Sequence, residues 1–202
     1  GLSAAVFPST PRWASSLSRS NPYAPDDPDY RAELFEALQA PDPTWASLWA
    51  AELAVRWSTL VPLSRKEQLL VTHFVEREDA FDAARAALLT TALDHHPALG
   101  EHYIAAAARL LVGLPIDSSS TRPGLLYAAL LVSEMHPTAV DAATLERWLY
   151  SSPVHAERAA LALRARSADT EAAAIERALA TLPPDSDTAR FLLDHRARML
   201  GH

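Results

Sequence analysis

The stretch from Tyr103 to Leu114 constrains the fold more than any other part of the chain. Tyr103, Ala106, Ala107, Leu110, Leu111 and Leu114 fall at i, i+3, i+4, i+7, i+8 and i+11, the spacing of one buried helical face and not the alternation of a strand. Just upstream, Phe81, Ala84, Leu88 and Ala92 form a second stripe, with Leu89 and Leu93 beside it. The two segments meet at His95-His96-Pro97. Pro97 suits the first turn of a new helix, and Gly113 suits the end of one. The pattern predicts a central antiparallel pair, 80–95 and 98–113, whose Ala side chains let the backbones approach closely.

Helix-start signals recur along the chain. Asp27-Pro28, Asp42-Pro43 and Ser152-Pro153 each put an N-cap residue before a proline at the first helical position. Ser64-Arg65-Lys66-Glu67 has the spacing of a capping box. Pro123 and Pro137 open further helices, and Asp169 or Thr170 and Asp185 or Ser186 open the last two. About ten helices follow: 28–40, 43–60, 64–78, 80–95, 98–113, 123–135, 138–150, 153–166, 170–182 and 186–200. Only 5 glycines occur in 202 residues, which disfavours hairpin-rich β architecture and phosphate-cradling loops. The expected fold is all-α, with no β-sheet. Residues 1–27 read differently: Pro8, Pro11, Pro22 and Pro25 lie among Ser and Asn without helical period. They form an extended arm ahead of a helical domain at 28–202, with Trp13 or Tyr23 anchored on the helices.

Taken in pairs, the helix heads stand at Pro28, Ser64, Pro97, Pro137 and Asp169, successively 36, 33, 40 and 32 residues apart. A period of this size belongs to helical-repeat architectures. Ala92-Leu93 before Pro97 and Ala178-Leu179 before Pro183 resemble the tetratricopeptide repeat. The stretches Asp42 to Ala54 and Ser152 to Ala162 are similar to HEAT-type helix pairs. The resemblance implies a short α-solenoid of five stacked antiparallel pairs, whose surface binds a peptide or protein. The repeat's first-helix pattern of Trp, Leu-Gly and Tyr does not occur here.

Composition narrows the function. The formal charge of −7 argues against a nucleic-acid partner, because phosphate binding needs clustered Lys and Arg. Lys66 is the only lysine beside 17 arginines, a codon bias that with abundant Ala suggests a GC-rich bacterial genome. No apolar run reaches the ~18–20 residues of a membrane helix; the longest, Leu125 to Val132, reads as a core segment flanked on several sides. With no Cys there are no disulfides or thiolate sites. The compartment stays open on that ground, with the cytoplasm favoured, and Gly1 without a preceding Met reads as a processed or trimmed start.

The densest set of metal-ligating side chains is Asp94, His95, His96, Glu101 and His102, with His95, His96 and His102 the candidates for zinc or iron. Adjacent histidines diverge, however, and no His-Glu-x-x-His or Glu-x-x-His occurs. These residues read better as helix-end charges, with no metal and no cofactor. His73, beside Phe74, reads as a boundary or core histidine, and Glu76, Glu78 and Asp79 as a solvated acidic helix end. Trp45, Trp49 and Trp57 share a helix that is apolar around most of its circumference and should be central. Trp45, Trp49 and Tyr103 are also the candidates for partner contact, since aromatic rings anchor recognition sites. Ser118-Ser119-Ser120 reads as a flexible connection, and no Gly-x-Ser-x-Gly or other catalytic motif is present.

The expected function is a non-catalytic protein–protein interaction or scaffold module. Two alternatives differ in class. One is a small metal- or ligand-binding helical bundle. The other is an acidic immunity- or antitoxin-type protein, suggested by Asp26, Asp27, Asp29, Glu33, Glu36, Asp42 and Glu52 against Arg31 and Arg56.

Overall fold

A computed structural model describes residues 28–56, 63–95 and 101–200, without the side chains of 55–56, 92–95 and 200. The arm at 1–27, Trp57, Leu60, His96 and Pro97 lie outside the described residues. The chain is all-α: α1 (Pro28–Ala37), α2 (Pro43–Arg56), α3 (Arg65–Glu76), α4 (Asp82–His95), α5 (Glu101–Gly113), α6 (Ser118–Thr121), α7 (Pro123–Met135), α8 (Ala142–Arg147) running into a 3-10 turn Trp148–Tyr150, α9 (Pro153–Arg166), α10 (Ala168–Thr181) and α11 (Asp187–Leu200). No strand occurs among the described residues.

Five starts follow from their caps. Ser64 and Glu67 form the expected capping box, each answering the other's backbone N–H. The Asp42 carboxylate accepts from Thr44 N at 2.8 Å, and Ser186 Oγ accepts from Ala189 N at 3.2 Å. Three expectations fail. Pro137 opens no helix; Asp141 does, accepting from both the backbone N and the hydroxyl of Thr144 at 2.7 and 2.8 Å. α10 starts from Ser167, whose Oγ accepts from Thr170 N at 3.0 Å. Ser118–Thr121 is a helical turn with Ser118 fully buried, not a loose connection. Its carbonyl-seeking hydroxyls explain the turn: Ser120 and Thr121 both donate back to the Asp117 carbonyl.

The helices alternate between two rows. α1, α3, α5, α8 and α10 form one row, each touching the next, and α2, α4, α7, α9 and α11 form the other. Cross-row contacts join α1 to α2, α3 to α4, α5 to α7, α8 to α9, and α10 to both α9 and α11. The 80–113 segment is therefore not a close-packed pair. α4 packs chiefly on α2 and α7, and α5 on α3 and α7. α4 and α5 do not lie side by side, and one buried bond, Tyr103 Oη to the Leu88 carbonyl at 2.8 Å, ties them; α9 and α10, by contrast, pack on each other across their turn.

α7 is the element at the middle. Leu125, Ala128 and Val132 join a core with Leu34, Phe35, Trp49, Leu53, Phe74 and Leu88. Leu126, Ala129 and Leu130 join a second core with Leu145, Trp148, Leu163, Ile175 and Leu192. Burial on two sides is what the unbroken apolar run Leu125 to Val132 implies. On α2 the burial is one-sided, contrary to the sequence reading: Trp49 and Leu53 are inside, while Trp45 is 43% and Leu48 54% exposed. On α4, Ala84 and Leu88 are buried but Phe81, at the head of the stripe, is 54% exposed. His73 is exposed rather than at a boundary or in the core, because α3 turns Val71, Thr72, Phe74 and Val75 inward.

Arginines close the helix ends. Arg77, just past α3, donates to the carbonyls of Leu38 and Ala40 at the end of α1, at 3.2 and 2.8 Å. Arg147 at the end of α8 donates to the carbonyls of Leu111 and Leu114 at the end of α5, at 2.6 and 3.0 Å. Arg166 at the end of α9 reaches the Pro137 and Val140 carbonyls after α7. Each guanidinium satisfies carbonyls at or just past a helix end, reached from the next helix along its own row. Five donors in a planar fork make Arg suited to this and Lys not.

Candidate functional site

A cleft of about 410 Å³ opens where α3 ends, α4 begins and α5 turns toward α7. It is lined by Glu76, Glu78, Arg85, Arg109, Arg122 and the apolar wall Leu110, Gly113, Leu114 and Pro115. Arg85 is the anchor. Its side chain is 1% exposed, its Nε donates to the Val75 carbonyl at 2.7 Å, and a terminal nitrogen donates to Asp82 Oδ1 at 3.0 Å. Arg122, 40 residues from Asp82, grips the same carboxylate with two parallel bonds of 2.7 Å. At the mouth, Arg109 pairs with Glu76.

The charges respond to these contacts. The two-pronged bond from Arg122 holds the Asp82 carboxyl below its ordinary range, against an opposing effect of burial. Arg122 is raised in turn by its bond to Asp82, and burial pulls Arg85 down. An aspartate shared by two guanidiniums is thus a fixed strut joining α3, α4 and the head of α7. Above it lie the Arg109–Glu76 pair and the exposed Glu78, with Val112 and Ile116 exposed just beyond the apolar wall. Alternating charge beside an apolar wall suits a peptide-like surface better than a small apolar ligand.

The residues singled out from the sequence do not assemble here. Trp49 and Tyr103 are core residues, 4% and 1% exposed, so neither presents a contact surface. Tyr103 spends its hydroxyl on the Leu88 carbonyl, and burial pushes its pKa well up. Trp45 remains at the surface, on α2. His102 is exposed in the first turn of α5, His95 ends α4, and His96 is outside the described residues. No group of three or more His, Asp or Glu that could hold a metal occurs among the described residues, and no described helix is long and apolar enough to cross a membrane. Compared with known proteins, the chain matches no family model, no curated protein and no solved structure.

Sequence reasoning passed over the arginines of the cleft. Glu76, Glu78 and Asp79 were legible as an acidic helix end, but their surroundings were not. Glu76 meets Arg109, and Asp79 takes a two-pronged pair of 2.9 Å bonds from Arg77. A useful signal existed in Asp82 and Arg85, an acid three residues before an arginine inside an apolar stripe, which places a cation where the period demands a core residue.

Proposed function

We propose that this chain is a non-catalytic scaffold that binds a protein or peptide partner, built as a short stack of helix pairs of the tetratricopeptide or HEAT kind. The supporting observation is the reach of its side-chain contacts. Arg31 to Glu67, Phe81 N to Ser47, Arg109 to Glu76, Arg122 to Asp82, Arg177 to Glu146 and Thr188 to the Ser151 carbonyl span 36, 34, 33, 40, 31 and 37 residues. All six span between 31 and 40 residues and join a helix, or the end of a helix, in one pair to the next pair. Each pair is thus tied to the next one along, as in a quasi-one-dimensional array.

Such arrays offer long surfaces built from successive pairs, and the partner site assigned here is the cleft at the junction of the second and third pairs. Its exposed Arg109 and Glu78, with Val112 and Ile116 beside them, supply polar selection around an apolar contact. The test is capture by the immobilised full chain, compared with Arg109→Glu/Ile116→Ser and with a control change at another exposed site, Val154→Ser. A discrete protein retained by the parent and by Val154→Ser, and lost from the cleft variant, supports the reading. Equal retention by all three chains, or no retained protein, removes it.

A further inference from the structure

A second cleft, of about 250 Å³, lies near the C-terminus between α9 and α11. It is lined by Arg164, His195, Arg198 and Met199. Behind it stands a buried acid. Glu171 has no exposed side-chain surface and receives His195 Nε2 on Oε1 at 2.8 Å. Its other oxygen, Oε2, is buried without a hydrogen-bond partner. The Arg164 Nε stands 3.9 Å from it, beyond bonding distance. Glu171 sits in the first turn of α10, where the helix N-terminus favours negative charge. The imidazole is held at a tilt against Phe191, with ring centroids 5.8 Å apart.

Glu171 is therefore the orienting group and His195 the oriented one. Nε2 carries the hydrogen given to the carboxylate, which leaves Nδ1 for another partner. Neither arginine makes a short hydrogen bond, although Arg164 forms a long ion pair with Glu171. Arg164 is 58% exposed and makes no bond shorter than that 3.9 Å approach; Arg198 has a single long bond, 3.4 Å, to the Asp194 carbonyl. Elsewhere in the chain Arg77, Arg147 and Arg166 spend their donors on helix ends. Every charged group that lines this cleft is cationic or can become so, and no described acid lines it.

We propose that this cleft binds an oxyanion, a phosphate or carboxylate group, between Arg164 and Arg198 with His195 Nδ1 as the third contact. A guanidinium fork matches two oxygens of such a group. A second proton on the imidazole makes Nδ1 a donor to the anion while Glu171 balances the charge from behind. The volume is below the ~300–1,000 Å³ of sites for whole cofactors, so the cleft suits one anionic group and leaves the rest of its carrier outside. The proposal stands apart from the partner reading of the first cleft.

The experiment is an NMR titration of the full chain, following the His195 ring, whose signal is assigned by its loss in His195→Gln. The probes are inorganic phosphate, acetate and a phosphoserine peptide, with chloride at equal ionic strength as control. A saturable shift with phosphate or acetate, absent with chloride, is expected. Arg164→Gln and Arg198→Gln should each weaken it roughly tenfold, the loss of about one charge-assisted hydrogen bond. Tighter binding of the peptide than of free phosphate assigns a phosphorylated protein as the source, and equal binding assigns a small anion. Both arginines lie at the surface, so the double variant should keep the parent's melting temperature. No saturable shift with any probe, a shift matched by chloride, or one unchanged in the folded double variant overturns the proposal.

Discussion

The two clefts hold arginines in opposite conditions. Near α4, Arg85 is buried and donates to the Val75 carbonyl on one side and to Asp82 on the other. Near α11, Arg164 and Arg198 are exposed and make no short hydrogen bond, and the buried group is instead an acid, Glu171, with one oxygen unanswered. A guanidinium distributes five donors, so a single buried arginine can settle a helix end and a carboxylate together. A carboxylate only accepts, and its second oxygen needs its own donor. The first cleft is therefore braced by its charges. The second keeps charge in reserve, the condition a ligand site needs.

The largest expected effects test whether the cores under the two clefts are equally packed. Leu88→Ala in the first and Leu163→Ala in the second should each cost ~2–5 kcal/mol in chemical denaturation, since both side chains are fully buried. Leu110, only partly buried where it packs on both cores, should cost less, about 1–2 kcal/mol. A loss under about 1 kcal/mol at Leu88 or Leu163 would break the comparison, because the core concerned would then be poorly packed.

The next effect separates bracing from reserve. Arg85→Met removes the donor to Val75 and one of the three to Asp82, and should cost about 2–3 kcal/mol, mainly for the carbonyl left buried without a partner. Glu171→Gln keeps an acceptor for His195 and supplies an amide in place of the unanswered oxygen, so it should stay within about 1 kcal/mol of the parent. The same denaturation experiment ranks them. Glu171→Gln as the costlier change would mean that Glu171, and not Arg85, is the structural ion.

The smallest effect is in acid. Asp82 has a folded pKa below its ordinary value of 3.8, chiefly through Arg122. Its contribution is therefore complete above about pH 4 and is lost as pH falls through the lower folded value. Asp82→Asn lacks that contribution at every pH. Unfolding free energies measured at successive pH values should show the parent falling more steeply than Asp82→Asn below pH 4; parallel curves would remove Asp82–Arg122 as a strut.

Much of the secondary structure was legible because its causes are local. Ser64 with Glu67 and Asp42 with Thr44 lie within one helical turn, so a cap is readable wherever both partners stand at the right offset. Of the stripe Tyr103, Ala106, Ala107, Leu110, Leu111 and Leu114, all but the half-buried Leu110 are buried as its period requires. Where two local signals competed, the weaker was read. Pro137 marks a permissible start, but Asp141 supplies two hydrogen bonds and wins. Ser152 holds the N-cap position before Pro153 as expected, though its Oγ bonds His155 Nδ1 at 2.7 Å in place of a backbone amide.

By itself, then, the sequence determined an all-α chain, most of its helix boundaries and the double burial of α7, but not that α4 and α5 pack on other helices rather than on each other. Tertiary structure alone decided which rings on α2 face inward, and that the excess of arginine closes helix ends rather than only reflecting codon usage. It also decided that Glu171 meets His195, 24 residues away. Period and caps are settled by neighbours within a few residues, whereas an ion pair depends on the register of one helix against another. That register is set by how all the helices pack together.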